Sequence, residues 1–308
     1  MPKDFATITW DARVEDDCRQ LVRLAVREDL DRRFDWTTLA LVTEGQPGEA
    51  DVVARSAGVV AGLRAVPVVL DEMEVEAEWR PRCDDGAAVE PGQVLASIAG
   101  EARDLLTCER VLLNLVGRLS GVATLTRRHV EAIAGTAARI YDTRKTTPGW
   151  RRLEKYAVHC GGGANHRTGL FDAVLIKDNH LAIASRSGER VTPHDAVLRA
   201  RRFVEAMLTD AAAQETVILE VEVDTLDQLR DVLPAAPDIV LLDNMSPHQL
   251  RQAVALRDEL APRVQLEASG GIDLSTIRAV AESGVERISV GALTHSAISL
   301  DVALDWRV

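Results

Sequence analysis

Between Arg139 and His180 the sequence gathers eight Lys or Arg residues against four carboxylates, together with His159, His166 and His180, three of its seven histidines. Lys177 ends the apolar run Ala173 to Ile176, and Arg144-Lys145 ends another apolar stretch, Arg139–Thr143. Cations at such places need anionic partners, because an unpaired buried charge is costly. The neighbouring sequence supplies few carboxylates, so an anionic ligand is the economical partner. Arg offers a planar fork that fits carboxylate or phosphate, and Lys a point charge. A pocket with Arg144, Arg167 and Lys177 suits a small molecule carrying several carboxylates or phosphates. Arg151, Arg152 and Lys155, at helical spacing, read instead as a solvated helix face.

Two carboxylates, Glu222 and Asp243, stand at the ends of neighbouring apolar runs. They suit ribose hydroxyls or Mg²⁺, a hard cation with oxygen ligands, or an internal salt bridge to Lys145 or Lys177. Ser269-Gly270-Gly271 and Val290-Gly291-Ala292 end the last two apolar runs. Backbone N–H groups in such loops hold phosphate in many α/β barrels, and tight turns are the alternative. His295 follows, to cap a phosphate or to pack. Gly161-Gly162-Gly163 reads equally as a turn or as close approach to a ligand. Covalent catalysis has little support: there is no GxSxG, and Cys160 beside His159 points away from it on a helix. No GxGxxG follows the first strands.

The elements that must carry these residues change style along the chain. Residues 11–33 show helical spacing through Val14, Cys18, Leu21, Val22, Ala25 and Val26. Strand-like runs follow at Ala50–Ser56, Gly58–Ala61, Val75–Trp79 and Val94–Ile98, with turns at Asp84-Asp85-Gly86 and Glu90-Pro91-Gly92. A helix is predicted over Asp104–Ile133, with a break near Gly121. From Arg139 onward strands alternate with helices. The strands are Arg139–Thr143, Ala173–Lys177, Val217–Val223, Ile239–Asp243, Val264–Ser269 and Arg287–Gly291, and the helices Pro193–Leu208, Leu226–Leu233, Pro247–Leu260 and Leu274–Glu282. Such alternation implies a parallel sheet. Periodicity leaves an open sheet and a barrel equally possible. Polar or small residues at six strand ends favour a ring around one site.

The 308 residues carry a net charge of −12, which disfavours wholesale binding to nucleic acid or anionic membrane. No run of 18 apolar residues suggests a membrane span, and Met1–Trp10 has no secretory pattern. Four cysteines, Cys18, Cys83, Cys108 and Cys160, lie far apart without a CxxC pair. Zinc and a disulfide framework are therefore not expected, and the reading is a reduced, cytoplasmic protein.

Several stretches together resemble the quinolinate phosphoribosyltransferases. They are Glu109-Arg110, Leu113-Asn114, Leu119-Ser120-Gly121, Thr143 to Gly149, Glu154 to Val158, Gly161-Gly162-Gly163, Asn165-His166-Arg167 and Leu175 to His180. Glu220 to Val223, Leu242-Asp243-Asn244, Glu267 to Gly271 and Val290 to His295 continue the match in order, from about residue 12 to the end. The resemblance implies an N-terminal α/β sandwich domain, residues 1–134, and a C-terminal incomplete α/β barrel of six or seven strands, residues 135–308. It implies transfer of phosphoribosyl from phosphoribosyl pyrophosphate to quinolinate with loss of CO₂, in NAD biosynthesis. It also implies a homodimer, or a higher oligomer, with Arg110 entering the partner's pocket. On this reading Arg144, His166, Arg167 and Lys177 hold the two carboxylates, with Thr143 beside them. Lys145, Glu222 and Asp243, with Mg²⁺, address ribose and diphosphate, Glu222 and Asp243 being the metal ligands. Ser269, Gly270, Gly271, Val290, Gly291 and Ala292 cradle the 5-phosphate near His295. Departures are a longer segment from Ala184 to Gln214 with a polar insert near Ser185–Arg190, His159 where Arg is common, and Arg118 where a polar residue or His is common. Two other readings are a related protein of molybdenum-transport operons and a non-catalytic anion-binding protein of the same fold.

Overall fold

The computed structural model describes residues 3–185 and 190–307. Of the polar insert expected near Ser185–Arg190, residues 186–189 lie outside the described residues. In chain order the elements begin with helices α1 (Ala12–Leu30) and α2 (Trp36–Leu41), strands β1 (Pro47–Ala54) and β2 (Gly58–Val59), and helix α3 (Val66–Glu72). Strands β3 (Ala77–Pro81), β4 (Ala88–Val89) and β5 (Val94–Glu101) lead into helix α4 (Ala102–Ala132). Next come β6 (Arg139–Tyr141), α5 (Arg151–Cys160), β7 (Ala173–Ile176), α6 (Asp178–Ala184), α7 (Pro193–Met207) and α8 (Ala211–Thr216). The chain ends with β8 (Ile218–Val223), α9 (Leu226–Val232), β9 (Ile239–Asp243), α10 (Pro247–Leu260), β10 (Gln265–Ser269), α11 (Ile277–Ala281), β11 (Arg287–Ser289), α12 (Ala292–His295) and β12 (Val302–Trp306).

Contacts divide the chain into two compact units. One comprises Ile8–Arg128, Lys145–Gly163 and Ala292–Val308. Its four-stranded antiparallel sheet runs β12-β1-β5-β3, so the last strand of the chain lies beside the first, with Ala50 opposite Trp306. Helix α1 starts where the Asp11 carboxylate accepts the Arg13 and Val14 N–H groups, and it buries Val14, Cys18 and Val22, one face at four-residue spacing.

The long helix α4 is unbroken at Gly121. A methyl group there would lie 2.2 Å from the Ile298 carbonyl oxygen. The residue is glycine because the 298–299 backbone crosses the helix at that point, and the expected break is corrected accordingly. Two of the three consecutive glycines have a similar cause. A methyl on Gly161 would meet the Ala123 carbonyl oxygen at 2.5 Å, and one on Gly163 would meet Thr126 at 2.8 Å. The end of α5 thus presses against α4. Nor is α5 a solvated helix: residues 153–158 are all buried, and Lys155 is wholly so. Arg152 pairs with Asp17 at 2.8 Å, and Arg151 donates to the Thr146 hydroxyl. Helical spacing alone did not reveal that α5 is covered nearly all round.

The other unit comprises Met1–Thr7, His129–Arg144 and Ala164–Gly291. Six parallel strands run β6-β11-β10-β9-β8-β7, with β6 and β7 at the edges, which gives the incomplete barrel six strands; beyond β6 a single parallel bridge joins Tyr141 to Ala164. The strands are apolar on both faces because helices cover one and the interior the other. Along β8, however, Glu220 and Glu222 share the inner face. Side-chain caps fix where the helices begin: Thr192 with Asp195 for α7, Thr225 with Gln228 for α9, and Ser246 with Gln249 for α10. The ends of β8 and β9 are thereby followed at once by a defined turn. Among the described residues no helix is long and apolar enough to cross a membrane.

Gly121→Ala is expected to lower stability by about 1–3 kcal/mol through overpacking against a carbonyl. Urea unfolding measures it; an unchanged midpoint would show that the 298–299 segment does not press on α4.

Candidate active site

Three strand ends of the six-stranded unit meet in one ionic cluster. The Lys177 ammonium, after β7, lies 2.5 Å from a carboxylate oxygen of Glu222 on β8. Carboxylate oxygens of Glu222, Asp224 and Asp243 come within 4.8 Å of one another. Asp224, a polar residue at the same strand end in the sequence, joins Glu222 and Asp243, the two carboxylates expected as metal ligands. Its signal was its position two residues beyond Glu222, which returns it to the same side of the chain. Three oxygen donors at this spacing suit a hard divalent cation. Lys177 is held in turn by His180, whose Nδ1 accepts the Lys177 N–H at 2.9 Å in the first turn of α6.

The next strand ends are tied to this cluster through the backbone. Asn244 adopts a left-handed conformation, donates to Asp243 at 2.6 Å, and gives its N–H to the Ser269 carbonyl. A methyl on Gly270 would meet the Asn244 side chain at 2.2 Å, and Gly270 also has φ +94°. Both facts require glycine there. Gly271 also has positive φ, and the space beside it is open. Val290 is buried and donates its N–H to the Tyr141 carbonyl, fixing the approach to Gly291.

The cations expected to grip a dianion are set by a buried aspartate. Asp142, wholly buried beyond β6, accepts the His166 N–H at 2.9 Å and the Asn165 side-chain amide at 2.7 Å. This holds His166 and Arg167 against the strand ends. Arg167 is only 6% exposed, and its guanidinium donates to the Ala173 carbonyl at 3.4 Å. Among the described residues it makes no ion pair. Burial and the nearby charge of Arg144 both push its pKa below the ordinary guanidinium value. The two guanidiniums lie close enough to repel each other, an arrangement that could accept an anion. Thr143 and Arg144 are half-buried at the end of β6.

His166 faces the interior. Its Nε2 lies 3.1 Å from Glu220 and 3.4 Å from Glu267. Burial opposes protonation, but the two carboxylates outweigh it and raise the pKa to about 10. The Arg167 N–H meets Nδ1 at 2.8 Å, a bond that only an unprotonated Nδ1 accepts. With that bond in place the ring is the neutral Nε2–H tautomer, and full protonation requires the Arg167 amide to turn away. In either state Nε2–H donates to Glu220, with Glu267 beside it. Sequence reasoning had quoted Glu220 and Glu267 without a role; a charged residue inside an apolar strand was the available signal.

The remaining residues belong to the four-stranded unit. The Lys145 carbonyl accepts the Thr294 hydroxyl at 2.7 Å. Arg118 donates to the wholly buried Glu154 at 2.6 Å, and to the carbonyls of Thr294 and Ala297. Glu154 also accepts the Thr147 N–H and hydroxyl. One buried ion pair thus fixes both the turn after Lys145 and the segment from Ala292 through the exposed His295. Arg110 is exposed on α4 and opens on a cavity of about 610 Å³ that Arg118 and Trp150 also line.

A parallel α/β barrel lacking strands, with cations and carboxylates massed at the carboxyl ends of those present, has its charged groups where enzymes of α/β-barrel fold carry their active sites. The family model for the quinolinate phosphoribosyl transferase N-terminal domain matches residues 35–120, and that for the C-terminal domain matches residues 122–305. The chain belongs to the quinolinate phosphoribosyltransferase family. It is 44% identical over 292 residues to the nicotinate-nucleotide pyrophosphorylase (carboxylating) of Mycobacterium leprae, covering 94% of this chain and 97% of that protein. It is 40% identical over 271 residues to a Bacillus subtilis protein described as probably the same enzyme, covering 88% and 87%. The solved nicotinate-nucleotide pyrophosphorylase of Francisella tularensis superposes with a TM-score of 0.85 at 34% identity, covering 99% of this chain and 100% of that one.

Arg167→Met replaces a buried charge that lacks an ion pair. Ligand-free protein is expected to gain about 1 kcal/mol or more in unfolding free energy, while activity falls at least about a hundredfold. Denaturant titration beside an activity assay checks both. A clear loss of stability would show that the fold itself depends on the guanidinium.

Proposed function

We propose that this chain transfers the phosphoribosyl group of phosphoribosyl pyrophosphate to quinolinate, releasing diphosphate and CO₂ and leaving nicotinate mononucleotide. The observation that carries the reading is the buried Arg167, without an ion pair and beside Arg144. A pyridine dicarboxylate supplies the anion that Arg167 lacks among the described residues. Arg144 and Arg167 receive carboxylate by the guanidinium fork, and Lys177 adds a point charge at the next strand end. The family assignment and the relatives' names support the same substrates.

The pyridine nitrogen attacks ribose C1, and the bond from C1 to the diphosphate oxygen breaks with its electron pair. Positive charge develops on the sugar. Glu222 and Asp243, at adjoining strand ends, are the carboxylates that would oppose that charge. Lys145 offers a cation to the leaving diphosphate, and the Ser269–Gly271 and Val290–Ala292 backbones offer N–H groups to the 5-phosphate. Glu222, Asp224 and Asp243 would hold Mg²⁺, which neutralises diphosphate charge when bound. The carbon–carbon bond to the 2-carboxylate then breaks. CO₂ leaves, the electron pair stays on the ring beside the positive nitrogen, and a proton from water replaces the carboxylate. No step needs a covalent intermediate, in keeping with the lack of an activated nucleophile in the sequence. We further propose cytoplasmic residence and a homodimer in which Arg110 serves the partner's site.

The direct test supplies quinolinate, phosphoribosyl pyrophosphate and Mg²⁺ and measures nicotinate mononucleotide, CO₂ and diphosphate. All three products are expected in equal amounts, with nicotinate a poor substitute; no product, or equal use of nicotinate, rejects the reading. The shared site is tested by mixing Arg110→Ala and Lys177→Ala proteins. Mixed dimers are expected to recover up to about a quarter of native activity by random assortment of subunits. Mixed dimers that form yet stay inactive would show that each subunit works alone.

A further inference from the structure

Below the strand-end residues, the inner face of the six-stranded unit carries a second polar network that the transfer chemistry does not use. Glu220, Glu267 and Arg287 are wholly buried there. Arg287 donates from Nε to Glu267 at 2.8 Å and from Nη1 to Asp4 at 2.8 Å. Its guanidinium lies 3.7 Å from the centre of the Tyr141 ring and 5.2 Å from that of Phe5. Asp4 also accepts the Tyr141 hydroxyl at 3.0 Å and Arg139 at 2.8 Å. Phe5 stacks on His166 with ring centres 4.4 Å apart.

The segment Lys3–Phe5 closes the amino end of this interior. Phe5 packs on Ala173, Ile218 and Ile239, the first residues of β7, β8 and β9. Lys3 reaches the Val217 carbonyl at 2.9 Å and Asp238 at 3.2 Å, just ahead of β8 and β9. A floor of this kind needs no charge: apolar side chains of equal volume fill a barrel at no loss of stability, and often with a gain. What charges add is direction. Glu220 and Glu267 together fix where Nε2–H points, Phe5 fixes the plane of the ring, and Nδ1 is left facing the Arg167 N–H at 2.8 Å. The network therefore ends on the backbone of the residue whose guanidinium awaits an anion.

We propose that Asp4 and Phe5 are positioning residues for quinolinate binding: through Arg287 and the Glu220–Glu267 pair they orient His166, and His166 sets the backbone from which the Arg167 guanidinium meets the carboxylate. The inference deepens the proposed transfer reaction and rests on it. None of the positioning residues touches ribose or phosphate in this scheme, so the effect is confined to one substrate.

The test uses full-length Asp4→Ala, Asp4→Glu, Phe5→Ala and Phe5→Leu. Readouts are KM for each substrate, kcat, thermal midpoint, and quinolinate affinity by calorimetry. Asp4→Ala and Phe5→Ala are expected to raise the quinolinate KM and Kd about tenfold, as small misplacement of a binding group does. KM for phosphoribosyl pyrophosphate stays within twofold of native. Asp4→Glu and Phe5→Leu, which keep charge or bulk, recover most of the affinity at similar thermal midpoints. A quinolinate KM within twofold of native in both alanine variants overturns the proposal, as does an equal rise for both substrates or a fall in thermal midpoint alone. If an alanine variant fails to fold, Asp4→Asn or Phe5→Val takes its place, with a quinolinate Kd raised at least twofold expected and an unchanged Kd overturning the proposal. These outcomes differ from failure of the transfer reading, in which the native protein itself forms no product. Native protein that does not bind quinolinate in calorimetry overturns both.

Discussion

A guanidinium kept out of water without an ion pair is the constraint around which this site is arranged. Removing such a charge from solvent costs several kcal/mol unless ligands repay it. Arg167 bears that cost beside a second cation, Arg144. The fold tolerates the strain because the surrounding backbone is over-determined. Asp142 holds the segment by two hydrogen bonds, and the inner-face carboxylates hold the adjacent ring. On the proposed reading, a dianion neutralises this site, so that its affinity is drawn from stability the unliganded protein gives up.

The strand-end carboxylates pose the opposite problem. Glu222, Asp224 and Asp243 repel one another, and Lys177 relieves only one of them directly. On the proposed reading, cations for one substrate and carboxylates for the sugar and metal of the other are thus separated along neighbouring strands, with Lys177 common to both groups. The separation follows from parallel topology. Each strand delivers its last side chain to the same end of the sheet, and the strand order decides which charges become neighbours.

Much of this arrangement was legible because parallel strands buried on both faces are apolar without interruption and stop abruptly at polar residues. All six strands of the parallel sheet are legible to within a few residues, and so are the cations and carboxylates at their ends, whereas the strand Val302–Trp306 is not. The pattern carried no information on partners. Nothing in Val302–Trp306 says that it pairs with β1, some 250 residues earlier. Gly121 looked like a break because sequence does not show the backbone that crosses it. Lys155 looked solvated because helical spacing does not count the neighbours of a helix. Glu220, Glu267 and Arg287 interrupt apolar strands visibly, but that they connect Asp4 with His166 is a fact of three dimensions only.

The central claim is that an anionic ligand completes Arg167. A crystal structure of the protein with quinolinate tests it most directly. One carboxylate should accept both arms of the Arg167 guanidinium, with Arg144 and Lys177 within hydrogen-bonding reach of the same molecule. Quinolinate seated elsewhere, or an Arg167 guanidinium that stays on the Ala173 carbonyl with no carboxylate against it, would contradict the account.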